Sequence, residues 1–384
     1  MKKNLLVIIS GIIIGLSLGF LVVINFIVPD KTFSIINPLA PKKIVIGFLP
    51  YWLLNTAKSN YSNYVTTLSY FGLRVDQNGN IQKLLNPQQE EPGWYALRSG
   101  KLDQFFNDAL KNNVSLSLMV VSGDVNSING LVSDPILHAK NLVSDLNPLI
   151  DKYKFSDINL DIEYTQNAST TARENFTKFV TEVRKELKNG ETLTVEISPT
   201  DVINNNLIDP KAMSKLADSI VLMAYDYHST SSFVTGPIAP IFGAGVESEY
   251  DVTTAVEKAL DLISPQKLVL GIPLYGYEWE SLAQFPRSAI IPNTGVAASN
   301  RRAEELLSSC SSCSAILDKD ADEKYVSFLD ENFGDYRTVF FPDKDSTQAK
   351  IHLTNEFQLE GLALWALGYE GNSILNPLTS YISK

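Results

Sequence analysis

The sequence predicts an α/β fold: a (β/α)8 TIM barrel with a small α+β insertion after the seventh strand and a transmembrane helix before the first. Eight short apolar segments recur along the chain, and most are followed by a helical pattern, which is typical of parallel strands with crossover helices. No glycine-rich phosphate loop follows any of these segments, which argues against an open doubly wound sheet. The 384 residues are 45% hydrophobic, enough for a core and for one large domain or two small ones.

The eight predicted strands are short, apolar and rich in branched side chains. They are 44–50, 67–73, 115–121, 157–163, 192–198, 219–225, 268–274 and 361–366. The predicted helices between and after them are 101–112, 137–152, 171–188, 210–217, 251–263, 345–358 and 373–382. The segment after the first strand has no clear pattern.

The helix predicted over 171–188 has the clearest periodicity. Its apolar side chains recur at helical spacing, at Phe176, Phe179, Val180, Val183 and Leu187. Thr171 and Glu174 have the spacing of a capping box at its start, and Gly190 follows its end.

The longest gap separates the seventh strand from the helix predicted to follow it. Within it, two β-rich runs at 325–341 flank Asn332 and Gly334, a pattern that indicates a hairpin. We therefore expect a small insertion at about 276–344, on the rim formed by the carboxyl ends of the strands. Loops on that rim carry function in barrels.

The N-terminal segment is predicted to be a membrane helix. Leu5–Val28 has no charged residue and, at about 1.5 Å per residue, spans about 36 Å, enough to cross a bilayer with some tilt. Lys2 and Lys3 precede it and no basic cluster follows at once, which favours an extracytoplasmic position for the rest of the chain. A cleaved signal peptide has a shorter apolar core, so a retained anchor is favoured over a secreted form.

This assignment divides the chain into three parts. Residues 1–28 form the signal anchor, residues 29–42 form a proline-containing tether, and residues 43–384 form the barrel. The membrane contact is predicted through residues 5–28.

Composition narrows the classes of function. There are 32 basic and 43 acidic residues, for a formal net charge of −11, which argues against nucleic-acid binding. Cys310 and Cys313 are the two cysteines, and they are expected as free or bridged thiols in a surface loop. With three histidines in the chain, no metal site and no cofactor are predicted.

The most informative stretch is the octapeptide 156–163, Ser-Asp-Ile-Asn-Leu-Asp-Ile-Glu, in the predicted fourth strand. Because alternate side chains of a strand share a face, Asn159, Asp161 and Glu163 form one polar row, with neighbours about 6.6 Å apart. Carboxylates that point into a buried sheet are costly unless they are paired or used. The row is therefore a candidate catalytic row.

Acidic and aromatic residues lie at or just after the carboxyl ends of several other predicted strands. In a barrel such strand ends meet at one mouth. They are Tyr51, Trp52, Tyr225, Asp226, Tyr275, Tyr277 and Trp365. Aromatic faces stack on sugar rings and carboxyl groups serve as acids and bases, so the set indicates a polysaccharide cleft.

At these motifs the chain resembles the family 18 glycoside hydrolases. Their fourth strand carries Asp-Gly-x-Asp-x-Asp-x-Glu, matched by 156–163, and their sixth carries Met-x-Tyr-Asp, matched by Met223 to Asp226. Trp365 matches the tryptophan of their last strand, and Leu270 to Gly276 is similar to their seventh strand. The segments 318–343, 348–350 and 361–368 resemble the branch that includes spore-cortex-lytic enzymes.

The resemblance implies a substrate-assisted retaining mechanism at β-1,4 bonds beside N-acetylglucosamine. It implies that Glu163 is the acid and then the base, and that Asp161 holds the acetamido N–H. Tyr225 would position the acetyl carbonyl, Asp226 would bind the sugar, and Trp365 would form the floor.

The remaining predicted sugar contacts are Tyr51, Trp52, Met223 and Tyr275. An ionised Asp161 is expected to raise the pKa of Glu163. The substrate would be peptidoglycan or chitin, and the choice between them stays open.

Three positions depart from the family pattern. Ser156 and Asp157 replace Asp-Gly, and Asn159 replaces the first aspartate of the catalytic row. Asn159 is expected to donate a hydrogen bond to Asp161, to leave it ionised more readily and thereby to shift the pH–rate profile. Because Asp161 and Glu163 are retained, an enzyme is favoured over an inactive, lectin-like sugar-binding barrel.

Overall fold

The computed structural model describes residues 43–383, except residues 205, 246–249, 312 and 331–333. The predicted membrane helix Leu5–Val28 and the tether 29–42 lie outside the described residues. Among the helices of the described part, none combines the length and the apolar composition needed to span a bilayer.

Strands occur at all eight predicted positions, and seven more lie in connections and in the insertion. In chain order, the strands of the described residues are Ile44–Pro50 (β1), Thr67–Arg74 (β2), Leu84–Asn86 (β3), Gln89–Glu90 (β4), Ser115–Ser122 (β5), Asp157–Ile162 (β6), Thr192–Ile197 (β7), Ser219–Leu222 (β8), Leu268–Pro273 (β9), Tyr275–Ser281 (β10), Val296–Ser299 (β11), Ile316–Asp318 (β12), Glu323–Asp330 (β13), Asp335–Phe341 (β14) and Gly361–Trp365 (β15).

The predicted barrel is confirmed. Strands β1, β2, β5, β6, β7, β8, β9 and β15 pair in that order and close on β1, and every pairing is parallel. Each strand is buried on both faces, by the helices outside and by side chains that fill the interior. A 3-10 turn, Tyr51–Leu53, follows β1 directly, and it occupies the segment that showed no clear pattern.

Helices occur at all seven predicted positions, and four short ones were not predicted. The helices are Pro92–Arg98, Asp103–Lys111, Val125–Leu131, Pro135–Tyr153, Thr170–Glu186, Pro199–Ile203, Pro210–Leu216, Val252–Leu260, Asn300–Ser309, Lys344–Glu356 and Asn376–Ile382. The unpredicted helices, Pro92–Arg98, Val125–Leu131, Pro199–Ile203 and Asn300–Ser309, have ten residues at most. A helix of two or three turns shows too little periodicity to be recognised from its sequence.

The helix Thr170–Glu186 buries the predicted stripe but begins at a different cap. Its buried face includes Phe176 and Phe179, which are fully inaccessible. The capping box predicted at Thr171 and Glu174 is wrong: Ser169 is the N-cap, and its hydroxyl accepts a hydrogen bond from the Ala172 amide at 3.1 Å. Three consecutive hydroxyl residues start this segment, and the sequence does not distinguish which of them is the cap.

The insertion after β9 is an α+β unit, as predicted. It contains a five-stranded sheet in the order β11-β10-β14-β13-β12 and the helix Asn300–Ser309. Strands β13 and β14 form the predicted antiparallel hairpin. Cys310 and Cys313, left open by the sequence, form a disulfide with a Cα–Cα distance of 5.3 Å.

A buried carboxylate attaches the insertion to the connection that follows β8. Glu323 accepts hydrogen bonds from the amides of Ile238 and Ala239 at 2.8 and 3.0 Å. The buried Lys350 donates to the Ala239 carbonyl oxygen at 2.8 Å. These contacts satisfy backbone groups that would otherwise be buried without partners, and they hold the loop that begins at Asp226.

Asp157, one of the three departures from the family motif, lies deep in the barrel. Its carboxylate accepts hydrogen bonds from three hydroxyl groups, those of Ser117 at 2.6 Å, Thr192 at 2.7 Å and Thr194 at 3.0 Å. Burial nevertheless raises the pKa of Asp157 to about 6. The extra carboxyl group is therefore part of the interior polar layer, below the candidate site.

Asp157→Asn is expected to remove a pH-dependent loss of stability. Below about pH 4 the Asp157 carboxyl group is protonated in the folded and unfolded states alike, so its ionisation does not change the free energy of unfolding. Between about pH 4 and the native pKa of about 6, the unfolded state loses this proton first, and the free energy of unfolding falls by about 3 kcal/mol. Urea unfolding at pH 4 and pH 7 should show that the variant gains about this amount relative to the wild type. The exposed Asp261→Asn is the control, and an equal gain in both variants would contradict the assignment.

Candidate active site

The polar row of β6 points into the barrel and ends at its mouth. Asn159 and Asp161 are buried, at 0% and 6% exposure. Glu163 follows the strand, with its amide bonded to the Ser122 carbonyl oxygen at 2.9 Å and its side chain exposed at the mouth. The strand period thus places an amide and two carboxyl groups in a line from the interior to the opening.

A cavity of about 220 Å³ lies over the end of this row. It contains six of the ten residues predicted for the site, together with four others. Its lining residues are Phe48, Phe71, Met119, Asp161, Glu163, Glu196, Met223, Tyr225, Asp226 and Trp365.

A second cavity, of about 280 Å³, shares Phe71, Asp161 and Glu163 with the first, so the two form one cleft. The predicted Tyr51 and Trp52 line this second cavity. Each predicted aromatic at the end of β1 therefore lies on the cleft, as expected for a sugar contact.

The floor of the cleft is an aromatic cluster around the half-buried Trp365. Its ring centroid lies 4.7 Å from that of Phe71, 5.8 Å from that of Phe48 and 6.4 Å from that of Trp52. The rings pack edge to face or tilted, which leaves a face of Trp365 towards the cavity. Phe48 and Phe71 were not predicted, although each lies near the carboxyl end of a predicted strand.

Tyr275 is not among the residues that line either cavity. Its hydroxyl donates to Asp226 Oδ1, and the Tyr277 hydroxyl donates to the same oxygen at 2.9 Å. Asp226 itself has φ of +62°, a left-handed conformation that is uncommon for a residue with a side chain. The two tyrosines therefore position the Asp226 carboxylate, and the sugar contact of Tyr275 stays a prediction.

Space for Tyr225 comes from a glycine in the neighbouring strand. A Cβ added to Gly271 of β9 would lie 3.1 Å from Tyr225 Cε1 and 2.8 Å from the Leu222 carbonyl oxygen. The Gly-Ile-Pro segment of the seventh barrel strand thus admits the tyrosine ring at the end of β8. Burial first, and then nearby carboxylates, raise the pKa of Tyr225, so its hydroxyl stays protonated at neutral pH.

Asn159 has a different partner from the one expected. Its amide donates to Glu196 Oε1 at 2.7 Å, and not to Asp161. Glu196 lies on the adjacent strand β7, is 2% exposed and lines the first cavity. Sequence reasoning missed this residue, although an acidic side chain in phase with Thr192 and Thr194 in an apolar strand was a usable signal.

The carboxyl groups of the site have raised pKa values. Burial, and then the Glu163 carboxylate, raise the pKa of Asp161 well above its usual range. Burial, and then Asp226 and Asp201, raise the pKa of Glu163. Burial, and then Asp161, raise the pKa of Glu196 well above its usual range.

The pKa of Glu163 is raised, as expected, but its causes are burial, Asp226 and Asp201, and the expected contribution of Asp161 is not among them. Asp161 is the more deeply buried of the two, and desolvation disfavours its charged form more strongly. Burial and the nearby carboxyl groups thus disfavour the charged form of both residues.

Two buried oxygen atoms in the row have no hydrogen-bond donor among the described residues: Asn159 Oδ1 and Asp161 Oδ1. A buried acceptor without a donor costs about 1–3 kcal/mol, so such atoms point to a donor supplied by a ligand or by water. Within the described part of the chain, no group of three or more His, Cys, Asp or Glu side chains is arranged to hold a metal ion.

Comparison with known proteins places this geometry in a family. The family model for Glycosyl hydrolases family 18 matches residues 40–370. Cortical fragment-lytic enzymes of Bacillus anthracis and Bacillus cereus are 23% and 26% identical over 317 and 313 residues, or 79% of this chain and 65% of each relative. The chain thus spans about two thirds of the length of these relatives.

A solved structure with the same fold is the Group IV chitinase of Ostrinia furnacalis. Its TM-score is 0.75 at 24% identity, and the alignment covers 89% of this chain and 100% of that one. The family match includes the β6 row, the end of β8 and Trp365, which meet in a single cleft of the barrel. The chain therefore belongs to family 18 of the glycoside hydrolases, and it is a glycoside hydrolase.

Proposed function

We propose that this chain hydrolyses β-1,4 bonds next to N-acetylglucosamine by a substrate-assisted, retaining mechanism. The observation that carries the proposal is that the buried Asp161 Oδ1 lacks a hydrogen-bond donor among the described residues. Asp161 lies two positions before the exposed Glu163, on the same face of the strand. An acetamido N–H of the substrate would supply the missing donor. Only the acetamido group supplies both this donor and, in its carbonyl oxygen, an internal nucleophile.

The first half of the reaction breaks the glycosidic bond. Glu163 gives its proton to the glycosidic oxygen, the C1–O bond breaks, and the acetamido carbonyl oxygen of the same sugar forms a bond to C1. The product is an oxazolinium-like ion, and the Asp161 carboxyl group accepts a hydrogen bond from its N–H. The Tyr225 hydroxyl and the aromatic floor at Trp365 hold the acetamido group and the sugar ring in place for this attack.

The second half restores the acetamido group. Water attacks C1 as Glu163, now a carboxylate, takes a proton from it, and the bond between C1 and the acetamido oxygen breaks. Two displacements at C1 leave the configuration retained. The raised pKa of Glu163 supports this double role, because a general acid near neutral pH must be protonated before the reaction begins.

The proposed substrates are polysaccharides that contain N-acetylglucosamine, either peptidoglycan or chitin. Support comes from the two kinds of relative, a cortical fragment-lytic enzyme and a chitinase. The proposed location is outside the cytoplasmic membrane, with the chain anchored through residues 5–28, or secreted if that helix is removed. This location rests on the sequence of Leu5–Val28, which lies outside the described residues.

Glu163→Gln should lower the rate of hydrolysis by about 10²- to 10⁴-fold, because the amide keeps the shape of the side chain but cannot donate the proton. The measurement is the release of reducing ends from N-acetylglucosamine oligomers and from purified peptidoglycan by the full chain. Glu186→Gln, on an exposed outer helix position, is the matched control and should retain wild-type rates.

De-N-acetylated oligomers of the same length separate the mechanism from simple acid catalysis. They should resist cleavage, because they lack the acetamido carbonyl oxygen that acts as the nucleophile. Cleavage of these oligomers at the rate of the acetylated ones would reject substrate assistance. Binding of all glycans without turnover would reject the proposed hydrolysis.

Asn159→Asp should shift the pH dependence of kcat/KM upward by about one unit. The new carboxyl group would lie within hydrogen-bond reach of Glu196 and beside Asp161, and repulsion between like charges raises the pKa values of the cluster. The double variant with Glu196→Gln should reverse the shift, since it removes the facing charge. An unchanged profile in the single variant would show that Asn159 does not tune the site.

A further inference from the structure

We propose that Arg74 selects glycans in which a sugar near the cleaved bond carries a carboxylate-bearing substituent. This inference rests on the proposed function and narrows its substrate. Polymers of that chemistry carry a lactyl ether on alternate sugars, with a free carboxylate or an attached acidic peptide. The substrate is then peptidoglycan, and neutral chitin is the poorer one.

Arg74 lies on the part of the cleft that continues from the catalytic cavity. It is the last residue of β2, and it lines the second cavity together with Trp52, Asp161 and Glu163. Because Asp161 and Glu163 also line the first cavity, a sugar in the second would be joined to the sugar that is cleaved. A cation in this position meets the substrate close to the reacting bond.

The Arg74 side chain is held on one side and open on the other. Its Nε lies 3.6 Å from Glu91 Oε1, and 56% of its side chain is exposed. Glu91 is 1% exposed and is itself fixed, because its other oxygen caps the helix Pro92–Arg98 by accepting from the Trp94 amide at 2.8 Å. Arg74 makes no side-chain hydrogen bond within the described residues, so its guanidinium can bind a carboxylate through two parallel hydrogen bonds.

The charges around the cleft make this arginine selective. Among the described residues that line the two cavities, Arg74 is the single basic one, and the acidic ones are Glu91, Asp161, Glu163, Glu196 and Asp226. The sequence as a whole carries a net charge of −11. An anionic polymer would be repelled from such a cleft without a local cation, whereas a neutral polymer needs none.

The wall of the second cavity also leaves room for a substituent. Gly123 lines this cavity next to Ser122, and a Cβ added to Gly123 would meet no atom within 4 Å. The open wall at Gly123 and the exposed guanidinium of Arg74 bound the same cavity. A branched sugar fits this combination, and an unbranched one leaves both features unused.

The decisive test compares substrates with and without the charge. Peptide-free glycan strands with free lactyl carboxylates, the same strands with those carboxylates converted to methyl amides, peptide-bearing strands, and chitin oligomers would each be digested by the full chain. We expect kcat/KM on the amidated strands to be about 10- to 100-fold below that on the acidic strands. Comparison of peptide-free with peptide-bearing strands tells which carboxylate Arg74 binds.

Variants then assign the preference to Arg74. Arg74→Gln should lose the same factor on the acidic strands, mostly through a higher KM, and should leave the rates on amidated strands and on chitin oligomers unchanged. Arg74→Lys keeps a positive charge beside the buried Glu91, and it should therefore recover part of the loss. The exposed Arg98→Gln, in an ion pair with Glu90, is the matched control and should change none of the rates.

Two outcomes would overturn the inference without affecting the proposed hydrolysis. One is equal cleavage of the acidic and amidated strands by the wild type. The other is a uniform loss on all four substrates in Arg74→Gln together with a lower melting temperature, which would show that Arg74 only balances Glu91. Failure of the wild type to cleave any of the four would instead reject the proposed function.

Discussion

The cost of burying carboxyl groups inside a closed parallel barrel governs the rest of this structure. Asp157, Asp161 and Glu196 are each nearly inaccessible, and burial is the largest cause of the raised pKa of each. Each group needs a donor, a proton or a ligand, because an isolated buried charge is far too costly. Hydroxyl groups supply the donors for Asp157, an amide supplies one for Glu196, and one oxygen of Asp161 has no donor among the described residues.

This constraint explains why Asn159 stands where the family motif has an aspartate. With Asp161, Glu196 and Glu163 already in one region, a further carboxyl group would add repulsion that burial cannot screen. An amide of the same shape instead donates to Glu196 and lowers the pKa that burial raises. The departure is thus consistent with a working acid–base site, in which Glu163 has a raised pKa and lies at the opening.

The mouth of the barrel is built by parts that are far apart in sequence. The insertion contributes Tyr275 and Tyr277, which orient the Asp226 carboxylate, and Glu323, which fixes the loop beyond it. The ends of β1 and β2 contribute Trp52 and Arg74 to the second cavity. Residues from distant parts of the chain thus meet at one mouth, an arrangement that barrels permit because each loop varies separately.

The sequence by itself determined the eight strands, the barrel, the insertion and most of the candidate catalytic row, because these follow from periods of two and 3.6 residues and from local motifs. It did not determine the Asn159–Glu196 hydrogen bond, the hydrogen bond from Tyr275 to Asp226, or the presence of Arg74 and Glu163 in one cavity. Those depend on which strands are neighbours and on where a side chain ends in three dimensions. Burial, which decides the pKa values of the row, is likewise a property of the closed barrel and is absent from any single segment.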